Sequence, residues 1–223
     1  MNPRAPASPN WDAIDTVLLD LDGTLLDLAF DTHIWMGRVP QLYGAARGWS
    51  EAAALAALAP KFHALQGTLN WYCIHYWSRE LQIDIAELHR TESDRVAWLP
   101  GAREFLDDVR SRGKRLVLLT NGHPLVVDVK QQRTGVLDWF HAAYSSHQFG
   151  HPKEHPEFWQ CVREVEPFDP QRSMFVDDSD SVLAAAHRAG IAWIYQVQHP
   201  DSSRLPRAAA SHISGIAGVR DFL

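Results

Sequence analysis

This sequence of 223 residues predicts an α/β fold built on a parallel sheet, on three observations. Apolar runs without in–out alternation recur along the chain, as strands covered on both faces require. Helical stretches that end in glycine separate those runs, so successive strands read as βαβ units. After the first run, residues 28–99 contain no convincing strand and read as an all-helical insertion.

The elements follow in order. Residues 1–13 read as a disordered lead-in. The first strand is Asp15 to Asp20, a β-branched and leucine run broken by Gly23. In the insertion, Glu51 to Leu65, Leu69 to Leu81 and Asp84 to His89 are alanine-rich or aromatic and read as amphipathic helices. Pro100-Gly101 closes this segment. A helix from Ala102 to Arg112 stops at Gly113, a residue type suited to a left-handed C-cap, and leads to a strand over Arg115 to Leu119. Pro124 opens the next helix, where a missing N–H is tolerated, and Gly135 ends it. A weaker strand at Ala142 to Ser145 is followed by a helix near His155 to Glu166 and a strand at Ser173 to Val176. A helix from Ser179 to Ala189 stops at Gly190, and a strand over Ala192 to Val197 precedes a tail after Pro200 with no clear pattern. The expected architecture is therefore a Rossmann-like parallel sheet, residues 1–27 and 100–223, with a helical domain, 28–99, inserted after the first strand.

Composition narrows the function. No apolar run approaches the ~18 residues of a membrane span, and Met1 to Asn10 is polar and Pro-rich rather than a signal peptide. The two cysteines, Cys73 and Cys161, are too few and too far apart in sequence for a disulfide framework or a cysteine zinc site. They read as buried packing residues, and a cytoplasmic setting is the expectation. A net charge of −6 argues against a nucleic-acid polymer as partner. The partner expected is a small molecule, with the chain a monomer or small homo-oligomer.

Parallel sheets bind ligands beyond the carboxyl ends of their strands, and the polar residues gather there. Asp20 and Asp22 end the first strand, Thr120 and Asn121 the second, and Asp177 and Asp178 a later one; a further loop adds Lys153. Asp20 and Asp22 are two apart, so an extended chain points both to one side. One carboxylate can coordinate a cation and attack while the other shuttles a proton. An oxygen-only ligand set suits Mg²⁺ better than zinc. A calcium EF-hand is excluded because the sixth loop position, counted from Asp20, is Leu25 rather than glycine. Lys153 supplies positive charge, and Thr120 with neighbouring N–H groups at a helix start can hold phosphate oxygens. Together these parts describe metal-assisted phosphoryl transfer through an aspartyl phosphate. Taken singly, each has a bland reading: a turn, an N-cap or a surface lysine.

The motifs Asp20-Leu21-Asp22-Gly23-Thr24-Leu25, Leu119-Thr120-Asn121, Lys153 and Phe175-Val176-Asp177-Asp178 resemble the four motifs of the haloacid dehalogenase-like hydrolases. The resemblance implies a nucleophile at Asp20 and an acid/base at Asp22. It also implies phosphate contacts from Thr120, Asn121 and Lys153, and Mg²⁺ held by Asp20, the Asp22 carbonyl and Asp178, with Asp177 beside the metal or one layer out. The helical insertion then corresponds to that family's cap domain. The stretches Asp15 to Asp31, Thr68 to Ser78, Phe149 to Glu154 and His199 to Ser202 resemble the bacterial GMP/IMP nucleotidase branch. That implies a 5′-nucleotidase of purine monophosphates; a phosphatase of sugar phosphates or other small phosphates is the alternative. A phosphomutase or a 2-haloacid dehalogenase ranks behind it. One departure is Val182, where many members carry Asp or Asn; either Asp180, two positions earlier, substitutes through water or the site does without a ligand there.

Trp71, Tyr72, His75 and Trp77 are the residues of the insertion with which a purine could stack, although aromatic residues at this spacing also suit a core. Residues 71 and 75 share one helix face, with Tyr72 beside them. His147, His151 and His155 are spaced by four, but Gly150, Pro152 and Pro156 exclude a continuous helix there.

Overall fold

The computed structural model describes residues 9–208 and 213–223. Six strands form one parallel sheet: β1 (Thr16–Leu19), β2 (Arg115–Thr120), β3 (Ala142–Ser145), β4 (Ser173–Asp177), β5 (Trp193–Val197) and β6 (Ser214–Ile216). Their order across the sheet is β3-β2-β1-β4-β5-β6. Leu18 of β1 lies in register with Val117 of β2 and Phe175 of β4, so β1 is central and wholly buried. The chain progresses outward from β1 to β3 on one side and from β4 to β6 on the other. The order therefore reverses between β1 and β4, which is where a doubly wound sheet opens a crevice.

Both faces of the sheet are apolar, which is why its strands show no alternation. Leu18, Val117, Leu119 and Phe175 pack against Phe158, Trp159 and Val162 of α9 (Pro156–Val165) and against Leu183 and Ala186 of α10 (Asp180–Arg188). On the other face Val17, Leu116, Leu118 and Val176 meet Phe105, Leu106 and Val109 of α7 (Ala102–Ser111) and Val126 and Val127 of α8 (Pro124–Thr134). That second cluster does not stop at the sheet. It runs through Leu25, Leu26, Phe30 and Ile34 to Trp77, Leu81 and Ile85 among the helices of residues 28–99.

Those helices are α1 (Ala29–His33), α2 (Val39–Ala45), α3 (Glu51–Leu65), α4 (Leu69–Tyr72), α5 (Ile74–Leu81) and α6 (Ile85–Thr91). A π-helical segment, Ile34–Arg38, joins α1 to α2. Pro40, near the start of α2, has no N–H to give to the carbonyl four residues back, and the widened turn lies where the regular ladder is lost. The stretch Leu69 to Leu81, expected as one helix, is instead broken at Cys73, whose backbone is extended at φ −88° and ψ 103°. Tertiary bonds offset the break: Trp77 Nε1 donates to the Trp71 carbonyl at 2.9 Å, and the Tyr72 hydroxyl reaches Glu154 at 2.6 Å.

Two further expectations are corrected at the ends of the chain. Residues 1–8 lie outside the described residues, but Trp11–Ala13 of the expected lead-in forms a 3-10 turn. The Arg112 guanidinium stands 4.9 Å from the Trp11 ring, which fixes this turn against α7. The unassigned tail supplies β6, paired with β5, and a final turn that lays Phe222 against Phe105 and Tyr195. Ser-Gly-Ile is too short to show a period, so the sequence carried no strand signal there. Cys73 and Cys161 are free thiols, half-buried rather than buried. Among the described residues no helix is long and apolar enough to cross a membrane.

Candidate active site

The ends of β1, β2 and β4 bring the predicted polar residues together. Asp20 follows β1 directly, and its N–H donates to the Val176 carbonyl at 3.0 Å. Gly23 then turns the chain at φ +86°, a conformation that favours glycine. A Cβ there would stand 2.9 Å from Pro200 Cβ and 3.0 Å from Asp178 Cγ, so the site closes over this residue because it lacks one.

Lys153 is the hub. The residue is 2% exposed, and its ammonium donates to Asp20 Oδ1 at 2.5 Å, to Asp177 Oδ2 at 2.7 Å and to the Leu119 carbonyl at 3.0 Å. Burial works against its charge, but Asp177 and Asp20 outweigh that and hold the ammonium above its usual range. The backbone of this turn is fixed as well. Trp159 Nε1 donates to the Lys153 carbonyl, and the Lys153 N–H donates to Asn121 Oδ1, both at 2.9 Å.

The carboxylates are crowded. Asp20, Asp177 and Asp178 each present an oxygen within 4.8 Å of the others. Burial raises Asp20 to about 7 against the pull of Lys153, with Asp177 and Asp22 pushing the same way. Burial likewise raises Asp177 to about 6, opposed by Lys153 and reinforced by Asp178. Asp178 also stands at about 6, from burial and the charge of Asp20, while Arg207 at 2.8 Å draws it down. An all-oxygen, anionic donor set of this kind fits a hard divalent cation. The donor chemistry thus agrees with Mg²⁺, and a bound cation would lower all three carboxyls.

Asp22 lies to one side, bound to a lysine that the sequence reading missed. Lys130 of α8, 1% exposed, donates to Asp22 Oδ1 at 2.6 Å and to Asp31 Oδ2 of α1 at 2.8 Å. Burial raises the Asp22 carboxyl, Lys130 lowers it, and Asp31 raises it again; the net direction is upward. On the far side, Thr120 is buried and its Oγ1 accepts the Gly122 N–H at 2.9 Å. A Cβ at Gly122 would come within 3.1 Å of that oxygen and 3.6 Å of Asp22 Oδ2, so the glycine keeps the space beside both open. Asn121 Nδ2 donates to Glu154 Oε2 at 3.0 Å, and Glu154 Oε1 accepts from Tyr72. Glu154 is the second residue missed; it links the helical segment to the Lys153 turn.

Asp20, Asp22, Thr120, Lys153, Asp177 and Asp178 line a cavity of about 620 Å³ bounded on one side by the sheet edge and on the other by residues of the helical segment. Trp71 and Tyr72 reach it, but His75 does not: the break at Cys73 leaves His75 exposed, its ring 4.6 Å from that of His123. Trp77 is buried in the apolar cluster instead. Asp180 lines the cavity and accepts from Gln196 Nε2. Val182 is buried on the α10 face.

The haloacid dehalogenase-like hydrolase family matches over residues 14–190. The GMP/IMP nucleotidase YrfG of Escherichia coli (strain K12) is 39% identical over 204 residues, covering 92% of either chain. Among solved structures, a HAD phosphatase from Thermococcus onnurineus superposes with a TM-score of 0.78 at 19% identity, over 92% of this chain and 94% of its own. The putative HAD-hydrolase YfnB from Bacillus subtilis, bound to magnesium, gives 0.64 at 19% identity, over 86% and 92%. At such identities the two structures speak for the fold.

Proposed function

The chain belongs to the haloacid dehalogenase-like hydrolases and is a phosphatase, and from that premise we propose a Mg²⁺-dependent 5′-nucleotidase acting on purine monophosphates through an aspartyl phosphate. The observation that carries the chemistry is the Asp20–Lys153–Asp177 cluster at the sheet's switch point, with Asp22 two residues beyond the nucleophile. The substrate class rests on the 39% identity to a GMP/IMP nucleotidase, which extends across residues of the helical segment.

In this reading Lys153 engages Asp20 Oδ1 and leaves Oδ2 to attack phosphorus. The P–O bond to the ribose oxygen breaks as Asp22 gives that oxygen a proton, a task suited to a carboxyl held above its usual range. Asp22 then takes a proton from water, which attacks the phosphorus of the aspartyl phosphate and frees Asp20. Thr120 and the N–H groups preceding α8 receive the phosphate oxygens, with Lys153 adding charge. Asp20, the Asp22 carbonyl and Asp178 would hold Mg²⁺, with Asp177 adjacent, and the ion would supply charge stabilisation for the transferring phosphoryl group. Residues 28–99 act as the cap that shields the reaction from water, with Trp71 and Tyr72 facing the base.

The test is phosphate release from GMP, IMP, AMP, pyrimidine nucleotides and sugar phosphates, with and without Mg²⁺. Mg²⁺-dependent turnover led by GMP and IMP, abolished in Asp20→Asn, is the expected result. Turnover led by sugar phosphates would discard the nucleotide assignment and keep the chemistry. Wild-type rates in Asp20→Asn would overturn the mechanism.

A further inference from the structure

Outside the acidic cluster, a second group of metal-ligating side chains gathers where the helical segment meets the sheet. Cys73 sits at the break between α4 and α5, His123 just ahead of α8, and His147 in the 3-10 turn after β3. A sulfur or nitrogen of each lies within 4.8 Å of the other two. The rings of His123 and His147 meet edge-on at 4.8 Å, and His75 stands against His123 from the exposed side.

The polar accounting at this place is incomplete. His123 is 8% exposed, and His147 Nε2 is buried without a hydrogen bond of good geometry, the Tyr72 carbonyl being the backbone group that the ring faces. The Tyr72 carbonyl favours a protonated His147, but burial outweighs it and keeps the imidazole neutral. A buried lone pair or N–H without a partner is unfavourable. Here it points to a ligand, because a thiol and a second imidazole share the same small volume.

We propose that Cys73, His123 and His147 form a binding site for a thiophilic divalent transition-metal ion of the Zn²⁺ class, tying the α4–α5 junction to the two core loops. One thiolate and two imidazoles make a borderline-soft set, unlike the oxygen-only set of Asp20, Asp177 and Asp178. Zinc at 2.0–2.3 Å from each donor implies donor separations of roughly 3.6 Å, so the three side chains need draw together by no more than about 1 Å. Binding releases the Cys73 thiol proton to solvent and forms the metal–sulfur bond. It also gives up the bond that His123 Nδ1 accepts from the Leu125 N–H, which is long at 3.3 Å. Tyr72 and His123 both line the cavity, so an ion here would brace its wall from behind. The binding claim does not depend on the proposed reaction.

The experiment uses the full chain in excess Mg²⁺, which occupies the carboxylate site, titrated with Co²⁺ and then Zn²⁺. One equivalent of Co²⁺ is expected to give a thiolate-to-metal charge-transfer band and tetrahedral d–d absorption, both removed by one equivalent of Zn²⁺. Cys73→Ser loses the charge-transfer band, and Cys161→Ser retains it. His147→Gln, which leaves the thiol in place, weakens Co²⁺ binding by about 100-fold or more, a larger loss than an outer-layer partner causes. Circular dichroism without metal checks that each variant is folded. A folded wild-type chain with no charge-transfer band would overturn the proposal. So would a band that survives in Cys73→Ser or disappears in Cys161→Ser.

Discussion

Replacing Lys130 by methionine removes a buried ammonium from between two carboxylates while preserving most of the side chain's bulk. Lys130 is 1% exposed and lies 2.6 Å from Asp22 and 2.8 Å from Asp31. Breaking a buried ion pair from one side destabilises by about 3–5 kcal/mol, because the remaining charge keeps its desolvation penalty and loses its partner. Asp22 and Asp31 are each one-fifth exposed, so water screens part of that penalty, and about 3 kcal/mol at pH 7.5 is the expected loss. Urea denaturation measures it.

The sign of the pH dependence follows from the same geometry. Without Lys130 the Asp22 carboxyl, already raised by burial, sits further above its unfolded value. The folded state then holds more protons than the unfolded one above pH ~4. The variant therefore loses stability as pH rises through that window, and its deficit against wild type is smaller at pH 5 than at pH 7.5. Asp31→Asn in the Lys130→Met background removes one of the stranded charges and should restore at least ~1 kcal/mol, the coupling expected of direct contacts. A deficit below ~1 kcal/mol, or one equal at both pH values, would refute the buried-charge argument.

Three other outcomes are expected. Gly23→Ala combines a positive φ with Cβ contacts at Pro200 and Asp178, so a lower melting temperature and weaker Mg²⁺ binding by calorimetry should appear together; unchanged Mg²⁺ affinity would mean that Asp178 yields freely. Burial lowers His89 to about 4. The unfolded chain takes up a proton near pH 6.5 that the folded chain refuses, so stability is lost from about pH 6.5 down to 4, by up to about 3 kcal/mol. Denaturation of His89→Gln across that range should show a flatter slope than wild type. Tyr72→Phe keeps the ring at the cavity and loses the bond to Glu154; stability should change by only about 1 kcal/mol, while KM for the nucleotide rises because the ring has lost its anchor, and an unchanged KM would mean that the Glu154 bond does not position it.

The parts of this site legible in the sequence are those that a parallel sheet aligns automatically. Once β1, β2 and β4 run side by side, Asp20, Thr120 and Asp177 fall along one edge whatever the loops do, and unalternated apolar runs are enough to foresee it. Lys130 and Glu154 carry no comparable local signal. On α8 a lysine between Val129 and Gln131 reads as a solvated residue. It is buried only because α1 returns Asp31 to the same point, a contact spanning 99 positions. His75 failed for a related reason: helical spacing put it beside Trp71, and one extended residue at Cys73 separated them.

The same break bears on function. It sends Trp77 into the core, where Trp35, Phe62 and Trp71 surround it edge-on, and frees Tyr72 to meet the Lys153 turn through Glu154. The helical segment is thereby joined to the chemistry by one hydrogen-bonded chain, Tyr72–Glu154–Asn121–Lys153, and by a second ionic one, Asp31–Lys130–Asp22. Both chains end on residues assigned to the reaction. A segment that closes over a substrate through such links would alter the surroundings of Lys153 and of Asp22 in the same motion. Substrate fit at Trp71 and Tyr72 would then be felt in the rate of phosphoryl transfer as well as in affinity, which is how binding energy remote from the reacting bond contributes to catalysis.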